Sequence, residues 1–353
     1  MHPRVLSLSE FFRCIGTGAF QPGQFTSERF WRLLTEPRQH MTAILRYHLE
    51  PPEILYRLGP NTRYGRESGV PPILLVTLPH LSNEPERLLD EIHDFTMSLP
   101  TQPLPDHFRS LFAWLSQRFC RDAIVERSGA SLAMVPSLAC SFPEARFIHL
   151  YRDGRRVAVS MSRHIIFRLW LAVRHAAGSS LPEGILDELG SRVVADLPGP
   201  EAARLPAMSQ DGRIRLMLQA MGPAADREQS PVWRFGTAWT GLVLSAAATL
   251  NGLDADQLFS LDFDDLLTAP EFALNAMERF LFPADIPDSQ WVAQAETILR
   301  PDPAPWSAGL SDVECRRLDI ACRPAMKWLY GPSAAPPSGK NRNRMPTGTR
   351  RGG

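Results

Sequence analysis

Residues 142–161, FPEARFIHLYRDGRRVAVSM, carry a turn, a strand, a basic loop and a helix in that order. Arg146–Tyr151 is a short β-branched and aromatic run, bounded by Pro143 before it and Asp153-Gly154 after it. From Val157 onward the apolar spacing is helical, and Asp153 is placed to cap that helix. Arg152 leaves the strand at its carboxyl end, where open α/β sheets bind ligands. Ser160 comes eight residues later, on the helix. A guanidinium and a hydroxyl so placed can converge on one phosphate, with the amides of the helix N-terminus adding positive potential.

Outward from this stretch, strand patterns fall at Val5–Ser9, Ile73–Leu78, Ala123–Val125, Phe147–Tyr151 and Leu258–Phe263. Helical patterns separate them at Glu28–Leu34, His40–His48, Glu84–Met97, Asp106–Phe119, Leu132–Ser141, Val157–Val173, Trp233–Leu250 and Ala273–Phe280. Strands alternating with helices predict an α/β fold, a parallel sheet with helices on both faces. At 353 residues and 44% hydrophobic, the chain can bury a large core. The Gly-, Pro- and charge-rich stretch 178–230 reads as an insertion, either a substrate-side lid or a surface excursion.

FPxARFIHLxRDGRxxAxSM resembles the 3′-phosphate-binding segment of sulfotransferases that use 3′-phosphoadenosine 5′-phosphosulfate (PAPS). The resemblance implies that Arg152 and Ser160 hold the 3′-phosphate of PAPS, a co-substrate used without a metal. It extends to LDFDDLLTAPEFALNAMERFL at Leu261–Leu281, where the Asp265-Leu266 corner and Pro270 match. Pro305-Trp306 and Trp328–Gly331 resemble the family's closing element. Residues 1–330 are therefore expected to form one sulfotransferase-like domain with a P-loop-type parallel sheet, and 331–353 a disordered basic tail.

One expected part is absent. These enzymes begin with an apolar strand and a loop resembling PRSGTTLL, whose amides wrap the sulfated 5′-phosphate, and a helix then ends near a His-Pro. The opening MHPRVLSLSEFF resembles the segment directly after that helix. The resemblance thus implies that the first strand and the 5′-phosphosulfate loop are missing. Either the gene product begins upstream and is an ordinary sulfotransferase, or the chain is a non-catalytic remnant that binds a nucleotide or a partner.

Arg127–Leu132, RSGASL, imitates the missing loop and comes after the apolar run Ala123–Val125. It lies only 25 positions before Arg152, and ERSG matches the family's E-[KR]-[ST]-[PG] stretch better. That match still sets Arg127 and Ser128 at a strand's carboxyl end, beside the nucleotide. A P-loop kinase using RSGASL would bind ATP and magnesium and needs an acidic Walker-B-like strand; Leu261–Asp265 is the nearest approach. Gly16-Thr17-Gly18 is a weaker decoy, with no strand leading into it.

Sulfuryl transfer to a hydroxyl benefits from a base. In the tyrosylprotein branch of the family a Glu shortly after the His-Pro serves, and Glu10 lies seven residues after Pro3. The alternative is a Glu10 that caps the next helix or pairs with an arginine. His80 is a second candidate base; His149 reads as packed within a strand, and His164 lies beyond the phosphate site. The acceptor, a small-molecule or peptide hydroxyl, is left open.

The formal net charge is zero, which gives no electrostatic case for nucleic acid or a membrane surface. Cys14, Cys120, Cys140, Cys315 and Cys322 are odd in number and show no CxxC. That pattern argues against a disulfide framework or a zinc site and fits a reducing cytoplasm. Phe235–Leu253 is a 19-residue stretch without charge, long enough to raise a membrane span. Its Gly, Thr, Ser and Asn content weighs against a span, and the sulfotransferase resemblance implies a buried helix here.

Overall fold

The structure is a computed structural model that describes residues 2–129, 131–177, 204–220, 231–300 and 304–331. Strand β1 (Val5–Ser9) leads into α1 (Phe11–Ile15), a 3-10 turn, the two-residue strand β2 (Gln24–Phe25), α2 (Ser27–Thr35) and α3 (Gln39–Arg46). Then come α4 (Pro72–Leu75), α5 (Thr77–Leu81), α6 (Pro85–Met97), β3 (Gln102–Pro103) and α7 (Leu104–Arg118). Strand β4 (Ala123–Arg127) precedes α8 (Val135–Ser141), and β5 (Phe147–Tyr151) precedes α9 (Gly154–Arg163) and α10 (Ile165–Ala177). The rest comprises α11 (Gln210–Ala220), α12 (Val232–Gly252), β6 (Leu258–Asp262), α13 (Phe263–Thr268), α14 (Pro270–Leu281), α15 (Ser289–Ile298) and α16 (Asp312–Tyr330). The chain is a mixed α/β protein, mostly helical, with short parallel sheets.

Four of the five expected strands form, and they pair in twos. β1 runs parallel to β4 with Leu8 opposite Glu126. β5 runs parallel to β6 with Tyr151 opposite Asp262. No ladder joins β4 to β5 among the described residues. Ile124 on β4 and Leu150 on β5 are 36% and 48% exposed, whereas Leu6 and Leu8 on β1 are buried.

The two pairs are held side by side by other contacts. At their amino ends both are tied to the segment 278–285. His2 Nε2 meets Glu278 Oε1 at 3.0 Å, both side chains being buried. Arg4 bridges Asp122, just before β4, to Asp285. Arg146, just before β5, donates to the carbonyls of Phe280 and Leu281. Further along, α12 packs on α8 after β4 and on α9 after β5.

Ile73–Leu78 is a correction. The expected strand is the helical pair α4 and α5, broken at Val76. Ile73, Leu74, Leu75, Val76, Thr77 and Leu78 are all buried, so the run has no polar face from which a period could be read. Pro72, in the first helical turn, sets the dihedrals for α4. Thr77 then donates to the Ser9 carbonyl at 2.8 Å, closing the end of β1.

The helix expected at Val157–Val173 starts earlier, at Gly154, and breaks at His164. His164 Nδ1 accepts the Ile166 amide, and its Nε2 lies 3.1 Å from the Glu53 carboxylate. The uncharged stretch Phe235–Leu253 lies almost wholly within α12, which buries Phe235, Trp239, Val243 and Leu250. No helix among the described residues is long and apolar enough to cross a membrane. Of the insertion at 178–230 only 204–220 is described; Leu205, Ile214 and Met217 pack there on Ile44, Tyr47 and Leu169. The tail beyond Gly331 lies outside the described residues.

Candidate functional site

The candidate residues sit just beyond the carboxyl ends of the strands. Glu10 comes directly after β1 and has φ 56°, the left-handed region that a non-glycine residue seldom adopts. Its amide donates to the Arg127 carbonyl at 2.8 Å, and its Oε1 accepts the Gly129 amide at 2.9 Å. Strand register and this turn together bring Glu10, Arg127 and Ser128 to one place. The Arg127 side chain reaches back across the ladder to Ser7 Oγ at 3.1 Å. The Ser128 hydroxyl donates to Glu126 Oε1 at 2.5 Å.

Burial pushes the Glu10 carboxyl above the usual glutamate range, against the pull of the Gly129 amide, Arg13 and Arg127. Glu126 goes further: burial lifts it to about 6, helped by the nearby Glu10 charge and opposed by Ser128 and the Phe12 amide. Glu126 therefore joins Glu10 as a second carboxyl that burial holds above the usual glutamate range. The sequence signal for it was its place in VERSG, one residue before Arg127.

The second group of residues lies after β5 and β6. Asp153 caps α9 as expected, its Oδ1 accepting the Arg155 amide at 2.8 Å. Gly154, the first helical residue, has no room for a side chain because Trp239 lies where one would go: a Cβ would stand 2.1 Å from the indole. Gly154, Ala158 and Met161 face inward, which turns Ser160 to solvent. Arg152 stands at the carboxyl end of β5, its Nε donating to Asp264 Oδ1 at 3.1 Å. Beside them is an open cavity of about 600 Å³, lined by Asp153, Asp262 and Asp264 and by Arg323, Lys327 and Tyr330 of α16.

Glu53 links the two groups. It lies within electrostatic range of Glu10 and pairs with His164, one turn beyond Ser160. His80 is half-buried beside Arg127, and burial holds its imidazole below the usual range, as does the Arg127 charge. His149 is buried on β5, and burial alone takes it down to about 4. No cluster of three or more His, Cys, Asp or Glu residues suited to a metal occurs among the described residues.

Two amides of the described RSGASL residues are already taken. The Gly129 amide is bound by Glu10, and Ser131 bonds back to the Ser128 carbonyl through both its amide and its hydroxyl. Compared with protein-family models, curated proteins and solved structures, the chain matches none of them.

Proposed function

We propose that the chain is a sulfotransferase-like protein that binds the 3′-phosphate end of PAPS through Arg152 and Ser160. The observation that carries this reading is the direction of the two parallel pairs. Glu10, Arg127, Ser128 and Arg152 all stand at carboxyl ends of strands, and Ser160 is exposed on the helix that leaves β5. Ligands of open α/β sheets gather at that edge. Among the described residues β4 and β5 each have one edge without a ladder, and the exposed Ile124 and Leu150 leave apolar strand faces uncovered, which suits a further parallel strand packed there. A strand there would complete a P-loop-type sheet and bring in the 5′-phosphosulfate loop that the resemblance calls for.

In this reading Glu10 takes the proton from the acceptor hydroxyl. The acceptor oxygen bonds to sulfur as the bond from sulfur to the 5′-phosphate oxygen breaks, leaving 3′-phosphoadenosine 5′-phosphate. A carboxyl raised by burial is a stronger base than an exposed one. Arg127 supplies positive charge near that step, where preorganised charge is most effective.

Calorimetric titration with 3′-phosphoadenosine 5′-phosphate and with ADP tests the reading. Preference for the 3′-phosphorylated nucleotide, weakened at least about tenfold in Arg152→Ala and Ser160→Ala, is the expected result, given the strength of charge-assisted phosphate contacts. Equal affinity for both nucleotides, or indifference to Arg152→Ala, refutes it. A second reading, nucleotide binding without transfer, draws on the Gly129 amide of the RSG turn, already taken by Glu10. It predicts the same titration with no conversion of PAPS to the bisphosphate.

A further inference from the structure

Arg152 is gripped in a particular way. Tyr151 is opposite Asp262 in the parallel ladder, so the residues after β5 and β6 emerge as neighbours. Asp262 then caps α13, its Oδ1 accepting the Asp264 amide at 2.9 Å. That cap turns the chain and sets Phe263 and Asp264 against the Arg152 side chain. Asp264 Oδ1 takes the Nε–H of Arg152 at 3.1 Å, and the guanidinium carbon lies 4.9 Å from the Phe263 ring centroid. Thr268 fixes the same turn by donating to the Asp264 carbonyl at 2.9 Å.

These contacts use one edge and one face of the guanidinium. Nη1 and Nη2 have no partner among the described residues. They form the outer fork that matches two oxygens of a phosphate. A long side chain already held in one rotamer gives up less freedom when it binds. Arg152 is 23% exposed, so the fork is reachable while the stem is packed.

We infer that Asp264 and Phe263 are positioning residues that hold Arg152 with its Nη edge turned toward the incoming 3′-phosphate. The inference rests on the nucleotide reading above. A contrary role for Asp264 makes the opposite prediction: an internal competitor would have to release Arg152 before phosphate could bind, and removing it would tighten binding. Positioning and competition therefore differ in sign.

The test uses the full chain and 3′-phosphoadenosine 5′-phosphate, titrated into wild type, Asp264→Ala, Asp264→Asn, Phe263→Leu and Arg152→Ala. Asp264→Ala removes the Nε acceptor and is expected to weaken binding about tenfold. Asp264→Asn keeps an acceptor oxygen while removing a negative charge, and is expected to restore affinity. Phe263→Leu loses the stacking face and falls between. The arginine Nε–H resonance that disappears in Arg152→Ala should be retained in Asp264→Asn and exchange-broadened in Asp264→Ala. Unchanged or tighter binding by Asp264→Ala overturns the positioning role while leaving the nucleotide reading intact. Wild type that does not distinguish the bisphosphate from ADP overturns both.

Discussion

Replacing Gly154 by alanine separates two reasons for a glycine. Gly154 is the first residue of α9, and its φ is not in the left-handed region, so backbone freedom is not what the position needs. Space is. An alanine Cβ would meet Trp239 Cζ3 at 2.1 Å and two more indole atoms at 2.4 Å. Trp239 is 6% exposed on α12, inside the cluster that joins α9 to α16, so the ring has little room to yield. Relief needs a shift of roughly 1 Å in a close-packed interior, and overpacking of this kind costs about 1–3 kcal/mol. The upper end applies, offset by up to about 1 kcal/mol that alanine gains over glycine in a helix. Gly154→Ala should therefore lose about 2 kcal/mol in urea unfolding monitored by far-ultraviolet circular dichroism. Trp239→Leu, destabilising alone, removes the obstacle, so the double variant should be more stable than the sum of the singles by about 3 kcal/mol, the whole overpacking cost. Gly241→Ala, on the same α12 with nothing within 4 Å of its Cβ, is the control and should gain about 0.5–1 kcal/mol. Additivity of Gly154→Ala with Trp239→Leu within about 0.5 kcal/mol would refute the reasoning.

Glu126 gives the protein a pH dependence of definite sign. Its folded pKa, about 6, lies above its unfolded value, so its stabilising contribution is complete below the ordinary glutamate pKa and is lost as pH rises through 6. The loss amounts to about 2 kcal/mol between pH 4 and pH 7.5, and Glu126→Gln should flatten that part of the stability profile. An unchanged slope in the variant contradicts the burial argument. His2→Ala should cost about 2–3 kcal/mol, because the buried Glu278 carboxylate loses a donor. Glu278 Oε1 and Oε2 would keep only the Asp288 amide, and a urea midpoint within error of wild type would count against the role given to His2.

What was legible in the sequence was local. The β5–α9 corner could be read because its signals lie within a few residues of one another: Pro143 and Asp153-Gly154 bound the strand, and Asp153 makes the cap its position promised. β1, β4 and β6 were readable for the same reason. Ile73–Leu78 was not, because a run buried on every side carries no period to separate strand from helix. At the helix break His164 pairs with Glu53, 111 residues away, and Arg152 is gripped by Asp264, 112 residues away. Contacts of that kind are consequences of register and packing, which local pattern does not encode. Glu126 illustrates the same limit: VERSG marked the turn, but only its burial in the folded chain distinguishes Glu126 from a surface carboxylate.

The candidate residues divide between the two ladders, and this division bears on how they could act together. Glu10, Arg127 and Ser128 belong to the β1–β4 pair, and Arg152 and Ser160 to the β5–β6 pair. Within each group the placement is fixed by backbone: the hydrogen bond from the Glu10 amide to the Arg127 carbonyl in one, the Tyr151–Asp262 register in the other. Between the groups it is fixed by side chains, namely the His2–Glu278 pair, the Arg4 and Arg146 ties, the packing of α12, and Glu53 between Glu10 and His164. Side-chain ties yield more readily than a continuous ladder, whose bonds form and break cooperatively. The internal geometry of each half-site is therefore the stiff quantity, and the separation of Glu10 from Arg152 the soft one. The proposed phosphate recognition by Arg152 and Ser160 would need only the stiff part. The proposed sulfuryl transfer would need both, because an acceptor held by Glu10 must lie in line, at near-contact distance, with the nucleotide at Arg152. The two activities should thus be separable by perturbing the ties at His2 and Arg4 while leaving every site residue in place.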